Sequence, residues 1–177
     1  MKALIIVDVQ KDFCPGGSLS TRDGDKIIPV INQTIFENQR CGNVLIATKD
    51  WHPKKSVHFD KWTKHCIAGT EGAKFHDKLL TGFDVVALKG TDNSDTGYSA
   101  FEATNVNLDM YLKSLKVTEL EVCGIATEYC VEATVLDALR LGYKVKINTM
   151  AISAVNPESS NEKKAIAEMK KAGAKFF

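Results

Sequence analysis

The stretch that most constrains the fold is residues 119–136, ELEVCGIATEYCVEATVL. Apolar residues run up to Gly124, and Ile125, Ala126 and Thr127 follow. Beyond Cys130, the apolar positions Val131, Val135 and Leu139 recur at i, i+4 and i+8. This order reads as a buried strand, a tight turn, and a helix that opens at about Thr127, whose hydroxyl suits an N-cap. Cys130 then falls in the first helical turn. There, unpaired backbone N–H groups and the helix dipole favour an anion, so a thiol ionises more readily. A strand feeding a helix in this way belongs to an α/β sheet, whose ligands bind beyond the carboxyl ends of the strands. Taken alone, the stretch is open to a plainer reading, because most free cysteines are small, inert core residues.

The rest of the chain repeats the pattern. Short apolar runs at residues 3–9, 43–48, 83–89, 119–126, 144–148 and 174–177 suit strands buried on both faces. Ile27, Ile31 and Ile35 mark a first helix that tolerates Pro29 near its first turn and ends at Gly42. Leu108, Leu112 and Leu115 mark a second. A last helix is predicted to open at Asn156-Pro157, to bury Ile166 and Met169, and to close at Gly173. Strand and helix alternate, so parallel strands with right-handed crossovers follow. The expectation is one three-layer α/β/α domain over residues 1–177 around a six-stranded, mostly parallel sheet.

At 177 residues the chain is long enough for a substantial core. A formal net charge of +1 argues against a nucleic-acid or membrane surface driven by electrostatics. No apolar run approaches the length of a membrane span. The opening MKALIIVDVQ is broken by Asp8 and lacks a small-residue cleavage site, so no secretory leader is expected. The odd count of five cysteines, at irregular spacing, speaks against a disulfide framework and for a reducing cytoplasm.

The chemistry gathers where strands end. Asp8 closes the first strand, Asp50 and His52 the second, and Lys89 the third, while Cys130 follows the fourth. All five should open onto one sheet edge, supplying base, cation and nucleophile. Singly, Asp8 reads as a turn residue and Lys89 as a solvated strand end. Residues 53–80 lose periodicity and hold His58, His65 and His76, and a loop of this length is usually functional. Asp50 and His52, at i and i+2, share a face of an extended chain, and His58 and His65 could fold back onto them. One carboxylate with two or three imidazoles suits Zn²⁺, Fe²⁺ or Mn²⁺ better than Ca²⁺ or Mg²⁺. On spacing alone, surface histidines on a loop are the plainer reading. His76 is read as structural, and Cys66 as a half-buried thiol rather than a soft ligand.

The segments ALIIVDVQKDFCPGGSL, ATKDWH, VHF, HC, LKG, GYSAF and GIATEYC, in this order, resemble the nicotinamidases (pyrazinamidases) of the isochorismatase-like cysteine hydrolases. The resemblance spans residues 2–155 and implies a Rossmann-like sheet of order 3-2-1-4-5-6. It implies a triad of Asp8, Lys89 and Cys130, with backbone N–H groups of Ala126 and Cys130 as an oxyanion hole. It also implies a divalent transition metal, zinc first with iron or manganese as alternatives, on Asp50, His52 and His65. His58 would join as a direct or water-bridged ligand. Phe13, Trp62, Tyr98 and Ala126 would wall the substrate, and a cis peptide would precede Ala126. The implied activity is conversion of nicotinamide to nicotinate and ammonia in NAD salvage, with pyrazinamide as a second substrate. The only other partner foreseen is a further copy of the chain. The rival readings are an amidase or isochorismatase-type hydrolase on another small substrate, and a metal-binding or thiol-redox protein without turnover. The chain departs from the family at Thr63-Lys64, where proline is common, and at Glu128-Tyr129, where Asp-His is common.

Overall fold

Strand β1 (Lys2–Val7) lies in the middle of the sheet, and its residues from Ala3 onward are all buried. Such a strand has to be apolar on both faces, because helices cover both sides of a parallel sheet. The computed structural model describes residues 1–157 and 159–177. β2 (Val44–Asp50) and β4 (Glu119–Ile125) flank β1 in parallel. β3 (Val85–Lys89) lies outside β2, and β5 (Lys144–Ser153) and β6 (Lys175–Phe176) lie outside β4. The order is 3-2-1-4-5-6, as the resemblance implies, and every pairing is parallel where the expectation is a mostly parallel sheet.

The two-residue period of β1 divides the core. Leu4 and Ile6 pack with Ile31 and Ile35 of α1 (Ile28–Arg40) on one face. Ala3, Ile5 and Val7 share the other core with α2 (Leu108–Ser114), α3 (Glu132–Arg140) and α4 (Ser160–Ala172), through Leu112, Val135 and Met169. The outer edge of β3 is closed by residues 104–105. The Asn105 amide pairs with Val86 O and Leu88 N, and Thr104 N–H donates to Leu88 O. An edge satisfied in this way offers no row of free backbone groups to another strand. No helix among the described residues is long and apolar enough to cross a membrane.

Three expectations need correction. Strand and helix do not alternate throughout, because the β2–β3 crossover, residues 51–84, carries a 3₁₀ turn at Val57–Asp60 and no α-helix. That segment is held by scattered backbone bonds, such as Ala68 N–H to His52 O and His76 N–H to Val9 O, and by side-chain hydrogen bonds, which leave no periodic signal. α4 starts at Ser160, not at Pro157, since the Ser159 hydroxyl accepts from Asn161 N–H as the N-cap. Residue 158, inside the expected start, lies outside the described residues. β5 continues past Asn148 to Ser153, because a register irregularity between Val122 and Gly124 lets Ile152 and Ser153 pair again with Gly124 and Ile125. Gly124 is required there: at φ +121°, any side chain would run into the Val7 carbonyl of β1.

Candidate active site

The carboxyl edge of the sheet delivers its polar residues to one point, with the Lys89 ammonium at the centre. Lys89 is fully buried. Its Nζ lies 2.6 Å from Asp8 Oδ2, ion-pairs with Asp50 Oδ1, and donates to Gly97 O at 3.1 Å and to Cys130 Sγ at 3.3 Å. One ligand atom from each of Asp8, Asp50 and Cys130 falls within 4.8 Å of the others. Asp8 follows β1 in the left-handed region at φ +48°, which aspartate tolerates better than most residues. Thr48 of β2 fixes it from both ends. Thr48 Oγ1 accepts from Asp8 N–H at 3.1 Å and donates to Asp8 Oδ1 at 2.6 Å.

Burial sets the electrostatics. It pushes Asp8 above the usual carboxylate value, which the Lys89 charge offsets only in part. Burial acts on Asp50 too, but the Lys89 charge, with the adjoining His52 and His65 rings, holds it well below the usual value. Burial also opposes charge on Lys89, and the two carboxylates overcome it and raise its pKa well above the ordinary value. The Cys130 thiol is pushed well up by burial despite Lys89. The resting thiol therefore keeps its proton, with a carboxylate of raised basicity beside it. Burial also pushes up Cys14, to about 12, and Cys66 and Cys123, none of which bonds to Lys89 as Cys130 does.

Beside Asp50, three imidazoles converge. Ligand atoms of His52, His58 and His65 lie within 4.8 Å of one another, and all three residues are buried. Each ring's Nδ1 faces an acceptor: Gly90 O at 3.0 Å for His52, Asp95 Oδ1 at 3.2 Å for His58, and Thr63 O at 2.7 Å for His65. This fixes the tautomer and leaves each Nε2 with a lone pair. Nε2 of His52 and of His65 stand 3.5 and 3.6 Å from Asp50 Oδ2. His52 Nε2 is buried and has no hydrogen-bond partner among the described residues. Burial lowers the His58 pKa to about 4, so that ring is neutral. An unpartnered buried nitrogen, two further lone pairs and a carboxylate oxygen make a donor set that fits a divalent transition metal. Gly90 (φ +62°) is needed here, because a Cβ would strike the His52 ring.

Above these groups lies a pocket that opens to solvent at its mouth. Cys130, Asp50, His58 and His65 reach its surface, while Asp8, Lys89 and His52 lie beneath it. Phe13, Trp62, Tyr98 and Ala126 all line it. Trp62 Nε1 donates to Tyr98 Oη at 3.1 Å, and the Trp62 ring meets Tyr129 edge-on at 4.9 Å. Phe13 tilts against His65 at 5.3 Å. His76 stays outside, with its Nδ1 accepting from Lys78 N–H. The buried Cys66 does not belong to the cluster of possible ligand groups.

The turn that carries Cys130 differs from the expected N-cap. A π-helical turn, Thr127–Val131, precedes α3, and the cap position is Ala126. Its carbonyl accepts from the N–H groups of Tyr129 and Val131, both at 3.1 Å. The buried Thr127 hydroxyl turns instead to Glu162 on α4, at 3.5 Å. Cys130 still occupies the first turn, in a wider helix of the kind that recurs at functional sites. The Ile125–Ala126 peptide is cis, as the resemblance implies. Glu128 accepts from Val155 N–H and so joins the end of β5 to this turn.

The sequence reading missed residues that act through non-local contacts. The Gln10 amide clamps the Asp50 backbone, donating to its carbonyl and accepting from its N–H, both at 2.8 Å. Thr48, Asp95 and Tyr129 were missed as well. Gln10 lies in the quoted DVQ segment and Asp95 in the polar loop before Tyr98, but only the fold supplies their partners.

Residues 2–177 match the Isochorismatase domain family. The chain belongs to the isochorismatase family. Within this family it is 36% identical to the nicotinamidase of Escherichia coli (strain K12), over 99% of this chain and 94% of that one. It is also 36% identical to a nicotinamidase/pyrazinamidase of Mycobacterium tuberculosis, over 99% and 98% of the two chains. The crystal structure of the pyrazinamidase of Pyrococcus horikoshii in complex with zinc superimposes with a TM-score of 0.91 at 40% identity, covering 99% and 98% of the two chains. The isochorismatase-family fold is thus shared over nearly the whole length of the chain.

Proposed function

We propose that this protein hydrolyses nicotinamide to nicotinate and ammonia through an acyl thioester on Cys130, with pyrazinamide as a second substrate. The observation that carries this reading is Lys89 Nζ placed between Asp8 and Cys130 and paired with Asp50, at the floor of an aromatic-walled pocket. Relatives named for these two amides match along the whole chain and support the choice of substrate. Asp8 takes the thiol proton and Lys89 stabilises the thiolate. Sulfur attacks the amide carbon, and the developing oxyanion is received by the backbone N–H groups of Ala126 and Cys130, a contribution on the order of 100- to 1,000-fold in rate. Asp8, now protonated, gives its proton to the departing ammonia. Asp8 then takes a proton from the water that opens the thioester to nicotinate and returns it to the departing Cys130 sulfur, which restores the resting thiol.

Asp50, His52, His58 and His65 would hold the metal, and zinc is the first candidate. When bound, it supplies an acceptor for the lone pair of a pyridine or pyrazine nitrogen and so anchors the ring. Phe13, Trp62 and Tyr98 sandwich that ring and exclude water. In the cell this reaction returns nicotinamide carbon to NAD salvage.

Benzamide tests the anchor, because it has nearly the shape of nicotinamide but no ring lone pair. It should lose about 100-fold in kcat/KM, the scale of an amide misplaced by about 1 Å. His52→Ala should depress nicotinamide hydrolysis strongly and the residual benzamide rate much less. Ammonia release from both amides by both proteins measures this. Equal losses on the two substrates would remove the anchoring role, and no ammonia from nicotinamide with the zinc-loaded wild type would remove the function.

A further inference from the structure

We infer that Asp95 is a positioning residue, one that sets the metal-facing nitrogen of His58 and ties it to the aromatic wall of the pocket. The inference rests on the metal-dependent reading above. Of the three acceptors that fix the imidazoles, those of His52 and His65 are backbone carbonyls, and only that of His58 is a side chain carrying charge. Asp95 Oδ1 takes the Nδ1–H of His58 and leaves Nε2 as the donor atom toward His52 and His65. A carboxylate in this position also makes the ring a stronger base, and loss of such a partner typically costs about 10- to 100-fold in metal affinity.

The same carboxylate reaches the substrate side. Tyr98 Oη donates to Asp95 Oδ1 at 3.3 Å and accepts from Trp62 Nε1 at 3.1 Å. A continuous hydrogen-bonded path therefore runs from His58 through Asp95 and Tyr98 to Trp62. The His58 ring closes this path by stacking, with its centroid 4.4 Å from that of His52 and 6.3 Å from that of Trp62. The two loops that carry these residues are joined a second time where Asn93 Oδ1 accepts from Val57 N–H at 2.8 Å. On its outer side Asp95 pairs with Lys61, whose side chain is 67% exposed, and an exposed pair of that kind contributes little stability. The plainer role for Asp95, a surface ion pair, thus involves a different partner and can be tested apart.

The experiment is the zinc affinity of the metal-free full chain, read by competition with a chromogenic chelator in the absence of substrate. Asp95→Ala should bind zinc about 10- to 100-fold more weakly than wild type. Asp95→Asn should fall between them, because its amide oxygen still accepts from His58. Lys61→Ala removes the ion pair alone. Asp92→Ala removes an acid on the same loop whose bond is to Ser94. Both should leave zinc affinity near the wild-type value. At saturating zinc, Asp95→Ala should raise KM for nicotinamide more than it lowers kcat, because Tyr98 and Trp62 lose their tether. Wild-type zinc affinity in Asp95→Ala, or an equal loss in Lys61→Ala or Asp92→Ala, overturns the inference, as does a wild-type chain that takes up no zinc. A chain with the predicted order of zinc affinities that leaves nicotinamide intact removes the proposed function and leaves the role of Asp95 standing.

Discussion

Cys130→Ala is expected to abolish ammonia release from nicotinamide, with a loss on the order of 10⁶-fold, the scale seen when a nucleophile is deleted from a working triad. The size of the effect follows from the arrangement. In the proposed mechanism Lys89 and Asp8 serve the sulfur, and neither replaces it as the nucleophile. The substitution removes one sulfur atom from a buried position and leaves the Lys89 ion pairs with Asp8 and Asp50 intact. Folding and zinc content should therefore stay close to wild type, as read by thermal unfolding and metal analysis. Alanine at Cys14, Cys41, Cys66 or Cys123 should spare most activity. Cys14, Cys66 and Cys123 are buried and none donates to or accepts from Lys89 as Cys130 does, and Cys41 is exposed at the end of α1. An active Cys130→Ala protein would end the thioester account.

Asp8→Asn is expected to give the second large loss, about 100- to 10,000-fold in kcat. Asparagine keeps the size of the side chain, but its single amide oxygen can accept from Thr48 or from Lys89 and not from both, and it cannot exchange a proton. Because Cys130 is held protonated by burial, its alkylation by iodoacetamide should slow in the same variant. The pH profile carries the sign. Asp8 works as a base only when ionised, and burial raises its pKa, so wild-type activity falls as pH drops through that raised value. The acid limb should begin above the ordinary carboxylate range, and the residual Asp8→Asn rate should lack it. Unchanged labelling together with near-normal turnover would reduce Asp8 to a partner of Thr48.

What the sequence discloses about this molecule is mostly what short-range chemistry dictates. Continuous apolar runs place β1, β2 and β4, and the residues just beyond them fall at the carboxyl edge because the strands are parallel. Asp8, Asp50, Lys89 and Cys130 were legible for that reason. The turn at Cys130 was half legible. Thr127 is a good N-cap by residue type, but its hydroxyl is drawn to Glu162 on α4, a contact made only after folding. The β2–β3 crossover lacks periodicity, so its histidines could be counted but not positioned by spacing. What positions them are the Gly90 and Thr63 carbonyls and the Asp95 carboxylate, the first and last of these far along the chain from the rings they hold. Gln10 is the same kind of case, since its amide substitutes for a strand partner of Asp50 forty residues away.

The most direct test of the account is product partitioning. The enzyme is given nicotinamide, or the methyl ester of nicotinate, with hydroxylamine present as a competing acceptor, and the ratio of nicotinohydroxamate to nicotinate is measured for each substrate. A common nicotinoyl thioester on Cys130 has no memory of its leaving group, so the account predicts the same ratio from amide and ester, with ammonia released only from the amide. Ratios that differ between the two substrates would show that no shared acyl-enzyme forms and would contradict it.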